Sequence, residues 1–364
     1  METLGSVWKL LGPGAVDFAA LDHHLYGDES QGQPPPRLLT DPPSYAWEHD
    51  RVYWHESRYS KNFRTSSQRP HQLLGTKLPD GTENETRWKN YLHLRELPWL
   101  VHHQVDGQIV FPAAGYLSAA VEAAVQTYDI HSVQLVELHD VTIGQALVLE
   151  ENSGVETLFS FRVIHADENH VEAVFSFSSA STKDSTGMTR NAHGSMRVAL
   201  EVLSPDVLPS PHASEREFLG LDPQRFYSTV GDIGLGYGGP FQKIAEAERR
   251  SGESRGAIQI PDEEDQGDAP LIFHPGTLDC AIQSIILAYS FPGDGKIQSI
   301  FLPTSIDRLR VNPSGIVQRK GPTSSKLPFF ATITSDERTD LTLSYIPRTE
   351  VPPSSSSRDC VRPP

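Results

Sequence analysis

The stretch WLVHHQVDGQIVFPAAGYLSAAVEAA, Trp99 to Ala124, sets two adjacent histidines, a glycine turn and a proline ahead of a run of small apolar residues. Proline suits the first position of a helix, so the pattern predicts a helix from Pro112 to about Tyr128. Ala113, Leu117, Ala120, Val121 and Ala124 lie along it, and small residues occupy nearly every side. Such a helix has no polar face to offer water and reads as a buried rod wrapped by a sheet. Residues 99–111 read as strand and turn. Gly107 after Asp106 supplies the positive φ of a tight turn. Side chains alternate along a strand, so His102 and His103 face opposite ways and at most one reaches a pocket.

Working outward, ETRWKNYLHL before the helix alternates as a strand does. VQLVELHDVTI, VETLFSFRVIHA, HVEAVFSFSS and AHGSMRVALEV after it read as antiparallel strands divided by turn residues. LSPDVLPSPHASE, 203–215, reads as a linker, and then the pattern restarts. DPQRFYSTVGDIG reads as a short helix capped by Asp222. GPFQKIAEAERR and SRGAIQI read as strands. HPGTLDCAIQSIILAYS is a second apolar helix opened by proline, and SIFLPTSIDRLRV and LPFFATITS supply further strands. The chain thus divides into two halves, each a buried helix among strands, as a divergent duplication would leave it. Upstream, GDESQGQPPPRLLTDPPSY reads as linker. YAWEHDRVYWHESRYS mixes aromatics with charges, as a segment laid along a neighbouring domain would.

The chain has 364 residues, with 31 basic and 47 acidic side chains and a net charge of −16. That balance argues against a nucleic-acid or anionic-membrane surface, which needs clustered Lys and Arg. Cys280 and Cys360 are its two cysteines, too few for a disulfide framework or a paired-cysteine metal motif. METLGSVWKLLGPG lacks the pattern of a signal peptide, and no apolar run reaches membrane-spanning length. These features read as a cytoplasmic protein, in which the sequon Asn84-Glu85-Thr86 stays idle.

Two constellations carry chemistry. Free amides at the start of the Pro112 helix suit an oxygen that gains negative charge, and a histidine beside them suits removal of a neighbouring proton. From the residues alone, His103 stays open between this role and that of a satisfied structural histidine. Asp279 and Gln283 are four apart on one apolar helical face. Burial there raises a carboxyl pKa, which suits a general acid, and Gln283 can hold it in place; the open alternative is an aspartate in a first helical turn, favoured by the helix dipole. GLGYGGPFQ, Gly234–Gln242, adds a tight turn with Tyr237, Gly238 and Pro240, open between a plain connection and a close backbone approach to a ligand. It lacks the GK[ST] of a phosphate loop. Arg308 and Arg310 are open between a small basic patch and solvated strand positions.

Together, His103-x-x-x-Gly107-x-x-x-x-Pro112, the Tyr237–Pro240 turn, HPGTLDCAIQ and FLPTSIDRL resemble, in their order, the dehydratase domain of type I polyketide synthases, above all the fungal highly reducing iterative class. The resemblance runs from about His71 to about Thr334. It implies an α+β double hotdog: residues 71–205 as a hotdog carrying the histidine, 206–346 as one carrying the aspartate. Residues 1–70 resemble the segment that follows the acyltransferase, and 347–364 read as a tail where the family continues with apolar strands.

The activity implied is dehydration of a β-hydroxyacyl chain to an α,β-unsaturated thioester. The chain would ride on the phosphopantetheine of an acyl carrier protein, with no metal or organic cofactor. Partners would be that carrier and the other domains of the same synthase. His103 would be the base and Asp279 the acid. Gly107 or an amide near Pro112 would receive the thioester oxygen. Tyr237 and Gln283 would orient the hydroxyl and the acid, and Gly238 and Pro240 would shape the site. Ala113, Leu117, Ile282 and Ile286 would bracket an apolar channel. A product-template cyclase and a non-catalytic double hotdog are the alternatives.

Overall fold

A computed structural model describes residues 2–26, 43, 45–46, 50, 54–66, 69–181, 187–200, 217–260, 271–290, 294–313, 326–335 and 338–343. The linkers at 27–42 and 203–215 and the tail at 347–364 lie outside them. The chain falls into two compact units, residues 1–55 and 56–364. In the first, part of the stretch expected to be linker is helical: α1 (Glu2–Leu11), a 3-10 turn (Pro13–Ala15) and α2 (Phe18–Tyr26). Tyr45 and Trp54 remain about three-quarters exposed.

The second unit begins with α3 (Arg58–Thr65), again in the expected linker, where the Ser57 hydroxyl caps the amide of Ser60. The run of small residues forms α4 (Ala113–Tyr128), buried from Ala114 to Val125. Pro112 is its N-cap rather than its first helical residue, because its ψ of 148° is still extended. Strands β1 (Thr76–Lys77), β2 (Glu85–Leu92), β5 (Leu135–Ile143), β7 (Val155–Ala166), β8 (His170–Ser181) and β9 (Thr189–Ala199) surround it. They join β14 (Ser305–Val311) in an antiparallel sheet of order β1-β2-β7-β8-β9-β5-β14. Alternation puts Phe159 and Phe161 opposite Phe177 and Phe175 on the inner face of β7 and β8.

The second apolar run forms α6 (Pro275–Tyr289), with Pro275 at its first position and His274 as cap, Nδ1 accepting the Gly276 amide at 3.0 Å. It lies on a second antiparallel sheet of order β10 (Leu219–Leu221), β12 (Ile244–Arg250), β13 (Glu253–Gln259), β15 (Lys326–Ser335) and β16 (Arg338–Leu343). The helix α5 (Pro223–Asp232) begins at the Asp222 cap, as expected. Two buried helices, each against its own antiparallel sheet, make the double hotdog.

Strand pairing crosses between the halves twice. β14 extends the first sheet by pairing with β5. A small sheet links β11 (Leu235–Tyr237), β3 (His103–Val105), β4 (Gln108–Val110) and β6 (Val148–Leu149). Residues 98–102 form a 3-10 helix rather than strand, because Pro98 starts a tight helical turn there. His102 ends that turn and His103 opens β3.

Candidate active site

The β3–β4 hairpin turns at Asp106 and Gly107, with φ of 49° and 74°, the two left-handed residues of the tightest hairpin loop. The hairpin folds β4 back along β3, so the Val110 carbonyl meets His103 Nδ1 at 2.7 Å. A carbonyl only accepts, so Nδ1 carries the proton and Nε2 presents its lone pair. His103 is buried, with Phe241 at 5.1 Å and Tyr237 at 5.7 Å between ring centres. Tyr237 stands opposite it in the β3–β11 register.

His103 Nε2 points at Asp279 Oδ1, 3.8 Å away. Asp279 sits in the second turn of α6, 5% exposed. Gln283, one turn on, donates from Nε2 to Asp279 Oδ2 at 2.8 Å and to the Phe241 carbonyl at 3.0 Å. The amide therefore fixes the carboxyl and is itself fixed. Burial pushes the Asp279 carboxyl above its ordinary range, against the smaller opposing effects of His103 and the Gln283 hydrogen bond. A buried carboxyl with a raised pKa beside an imidazole nitrogen is an arrangement suited to acid–base chemistry.

Both residues line a cavity of about 320 Å³ whose walls are mostly apolar: Val105, Val110, Phe111, Tyr116, Ile282, Ile286, Phe301 and Leu302. Tyr237 and Gln283 line it as well. Burial also lifts the Tyr237 phenol well above its ordinary value, so it stays a neutral hydroxyl.

Other expected positions fall elsewhere. Gly107 is at the exposed hairpin tip, with open space around its Cα. Pro112 is held in the backbone as the cap of α4, its carbonyl accepting the Gly115 amide at 2.9 Å; its neighbours Phe111 and Ala113 reach the cavity instead. Gly238 and Pro240 lie outside the lining. The close approach at this turn is to protein: a Cβ on Gly238 or Gly239 would come within 3.0 or 2.8 Å of the His102 ring. The His102 carbonyl accepts the Gly238 amide at 3.0 Å. Pro240 packs on Gly276 at the start of α6, and its carbonyl faces Cys280 Sγ at 3.7 Å. His102 thus braces the turn with an exposed ring while His103 is buried. Leu117 is also displaced from the channel: it points into the sheet core, and Tyr116 takes its place on the wall. Tyr116 carried a signal, as the one aromatic residue in the first turns of an alanine-rich helix. The stretch Phe301–Thr304 belongs to a motif of the family resemblance, but its residues alone read as the start of a strand and gave no sign that they line the cavity.

Comparison with known proteins points to one family and one fold. The chain matches the family described as polyketide synthase dehydratase domain over residues 71–178, and the polyketide synthase dehydratase N-terminal domain over 205–342. It is 41% identical over 341 residues to the polyketide synthase-nonribosomal peptide synthetase phmA of Phaeosphaeria nodorum. It is 40% identical over 339 residues to the synthetase ffsA of Aspergillus flavipes. Each alignment covers 93% of this chain but 8% of the relative, so the chain spans about a twelfth of their length. Among solved structures, the dehydratase domain from the CurK module of the curacin polyketide synthase aligns with a TM-score of 0.60 at 26% identity. That alignment covers 75% of this chain and 92% of the other. With two dehydratase profiles in order along the chain and a dehydratase fold around a buried His–Asp pair, the chain belongs to the polyketide synthase dehydratase family.

Proposed function

We propose that this domain dehydrates a β-hydroxyacyl chain presented on the phosphopantetheine of an acyl carrier protein, within a larger reducing synthase. His103 Nε2 takes a proton from the α-carbon, acidified by the thioester carbonyl. Asp279 gives its proton to the β-hydroxyl, the C–O bond breaks, and the products are water and an α,β-unsaturated thioester. Residues 71–205 supply the base and 206–346 the acid, so the reaction belongs to the seam between them. The observation that carries this reading is the 3.8 Å gap from a lone-pair nitrogen to a buried carboxyl at the wall of one apolar cavity.

The surroundings give each group its task. The Val110 carbonyl holds the tautomer that leaves Nε2 free. Gln283 aims the acid, and Tyr237 stands where it can donate to the departing hydroxyl. Gly107 is too far out on its hairpin for the oxyanion role. That role falls to the backbone at Ala113, where the first turn of α4 opens on the cavity. The apolar walls accept the alkyl portion of the chain, whose burial contributes about 25 cal/mol per Å². An Asp→Asn form of the CurK dehydratase, a 25% identical relative, is described as inactive, in keeping with an acid that an amide cannot replace.

The test is turnover of a simple 3-hydroxyacyl thioester, followed by absorbance of the conjugated product. Turnover is the expected result. Turnover of unreduced polyketones alone would give the site to a cyclase, and inertness toward both would leave a structural domain.

A further inference from the structure

Glu122 is the only carboxylate in the buried run of α4, and the mechanism above leaves it unused. Its side chain is 7% exposed and does not line the cavity. A charge in such a place needs firm partners, and it has two. Oε1 accepts the backbone N–H of Ile272 at 2.6 Å. Oε2 lies 3.2 Å from His71 Nε2. His71 Nδ1 accepts the amides of Leu73 and Leu74, both at 3.2 Å, so the ring proton sits on Nε2 and points at Glu122. His71 is itself locked by a two-way backbone exchange with Gly75.

The destination of this carboxylate gives it meaning. Ile272 is two residues before His274, the cap of α6, and α6 carries Asp279 in its second turn. The His274 ring packs edge-on against Trp99 at 5.2 Å. Trp99 contacts Phe241 at 6.0 Å, and Phe241 contacts His103 at 5.1 Å. The start of α6 is therefore held on one side by the aromatic chain that leads to the base, and on another by a carboxylate on α4.

We propose that Glu122 is a positioning residue for dehydration: by pinning the Ile272 amide it sets where α6 places Asp279 relative to His103, with His71 fixing the carboxylate. This rests on the His103–Asp279 assignment above. A group misplaced by about 1 Å can cost about 10²-fold in rate, so the pin would register in the chemical step rather than in substrate binding.

The experiment is steady-state kinetics of the full chain with a 3-hydroxyacyl thioester, at a temperature where circular dichroism confirms folding. Glu122→Leu is expected to lower kcat by about 10- to 100-fold with KM little changed. Glu122→Gln keeps an oxygen for the Ile272 amide and should restore most of kcat. Ile272→Pro deletes the donor instead and should reproduce the loss. The double variant should lose no more than either alone, because both break one bond. If Glu122→Leu does not fold, Ile272→Pro against the wild type carries the test. Unchanged kcat in a folded Glu122→Leu or Ile272→Pro would overturn the proposal, as would Glu122→Gln being no better than leucine. An inactive wild type would instead remove the acid–base reading, and this proposal with it.

Discussion

The two buried helices share a frame and differ in chemistry. α4 carries alanine, glycine and leucine in its first two turns and reaches the cavity through Ala113 and Tyr116. Its partner α6 carries Asp279 and Gln283 in the same dry surroundings. His103, the proposed base, is not on the helix of the first half but on a short hairpin, where a backbone carbonyl can set its tautomer. The sheets differ too. β9 lies between β8 and β5 in the first, whereas among the described residues no strand stands between β16 and β14. Two helix-in-sheet halves supply two places beside one cavity. An acid needs the one that withholds water, and a base needs the one that supplies a polar anchor.

The largest expected effect tests that division of labour. His103→Ala and Asp279→Asn should each lower kcat/KM by about 10²–10⁴-fold. Their combination should fall well short of the product, because both act in one step. His102→Ala, which removes only the brace on Gly238 and Gly239, should leave most of the activity. Comparable losses at His102 and His103 would break the contrast between the two histidines.

The helix starts provide a second comparison. A Cβ on Gly276 would sit 2.6 Å from the Pro240 carbonyl oxygen, so backbone must move. One on Gly115 would sit 2.5 Å from the Phe111 ring, which is a side chain. Gly276→Ala should therefore cost about 1–3 kcal/mol in urea unfolding, and Gly115→Ala less. The reverse order would mean that Phe111, stacked with Phe177, is held harder than the turn that packs on α6.

The dryness of α6 has a pH signature. Its native environment raises the Asp279 pKa above the unfolded value, mainly by burial. Between those two values the folded chain holds a proton that the unfolded chain has lost, so stability falls as pH rises. The contribution is full below the ordinary carboxylate range and gone above the raised folded pKa. Asp279→Asn abolishes this slope, so its stability relative to wild type should climb as pH increases through that window. Urea titrations across the acid range read this directly, and parallel pH dependences in the two proteins would contradict a buried, proton-holding carboxyl.

The smallest effect concerns the seam strand β14. Arg310 is engaged with Glu137 at 2.5 Å, whereas Arg308 is exposed beside it. An exposed ion pair is worth about 0.2–1 kcal/mol. Arg308→Glu should thus slow turnover of carrier-bound substrate by up to about fivefold and leave a small thioester unaffected. Equal effects on both substrates would remove a docking role from this strand.

The helices at 113–128 and 275–289, the strands with clean alternation, the Asp222 cap and the Asp106–Gly107 turn were legible because each follows from local sterics or period. The pairing of Gln283 with Asp279 was legible too, since residues four apart meet on any helix. Less legible was which glycines serve the site. Gly107 and Gly238 carry the marks of close approach, but only packing decides whether the approach is to a ligand or to a histidine. Leu117 and Tyr116 are adjacent in sequence, and a small rotation of the helix in its sheet exchanges core for cavity wall. Glu122 gave a faint sign, a lone carboxylate in an apolar run, and nothing local says that its partners lie 51 residues before it and 150 residues after.

The sequence by itself determined two buried helices, the strands around them and the residue types able to move a proton, because period, capping and burial act over a few neighbouring residues. Only the tertiary structure decided that His103 and Asp279, 176 positions apart in the chain, face each other across 3.8 Å. That distance depends on β11 pairing with β3, on Pro240 seated against Gly276, and on the aromatic contacts from Trp99 to Phe241. None of these is encoded within a single segment, since each forms only when both halves have closed around their helices.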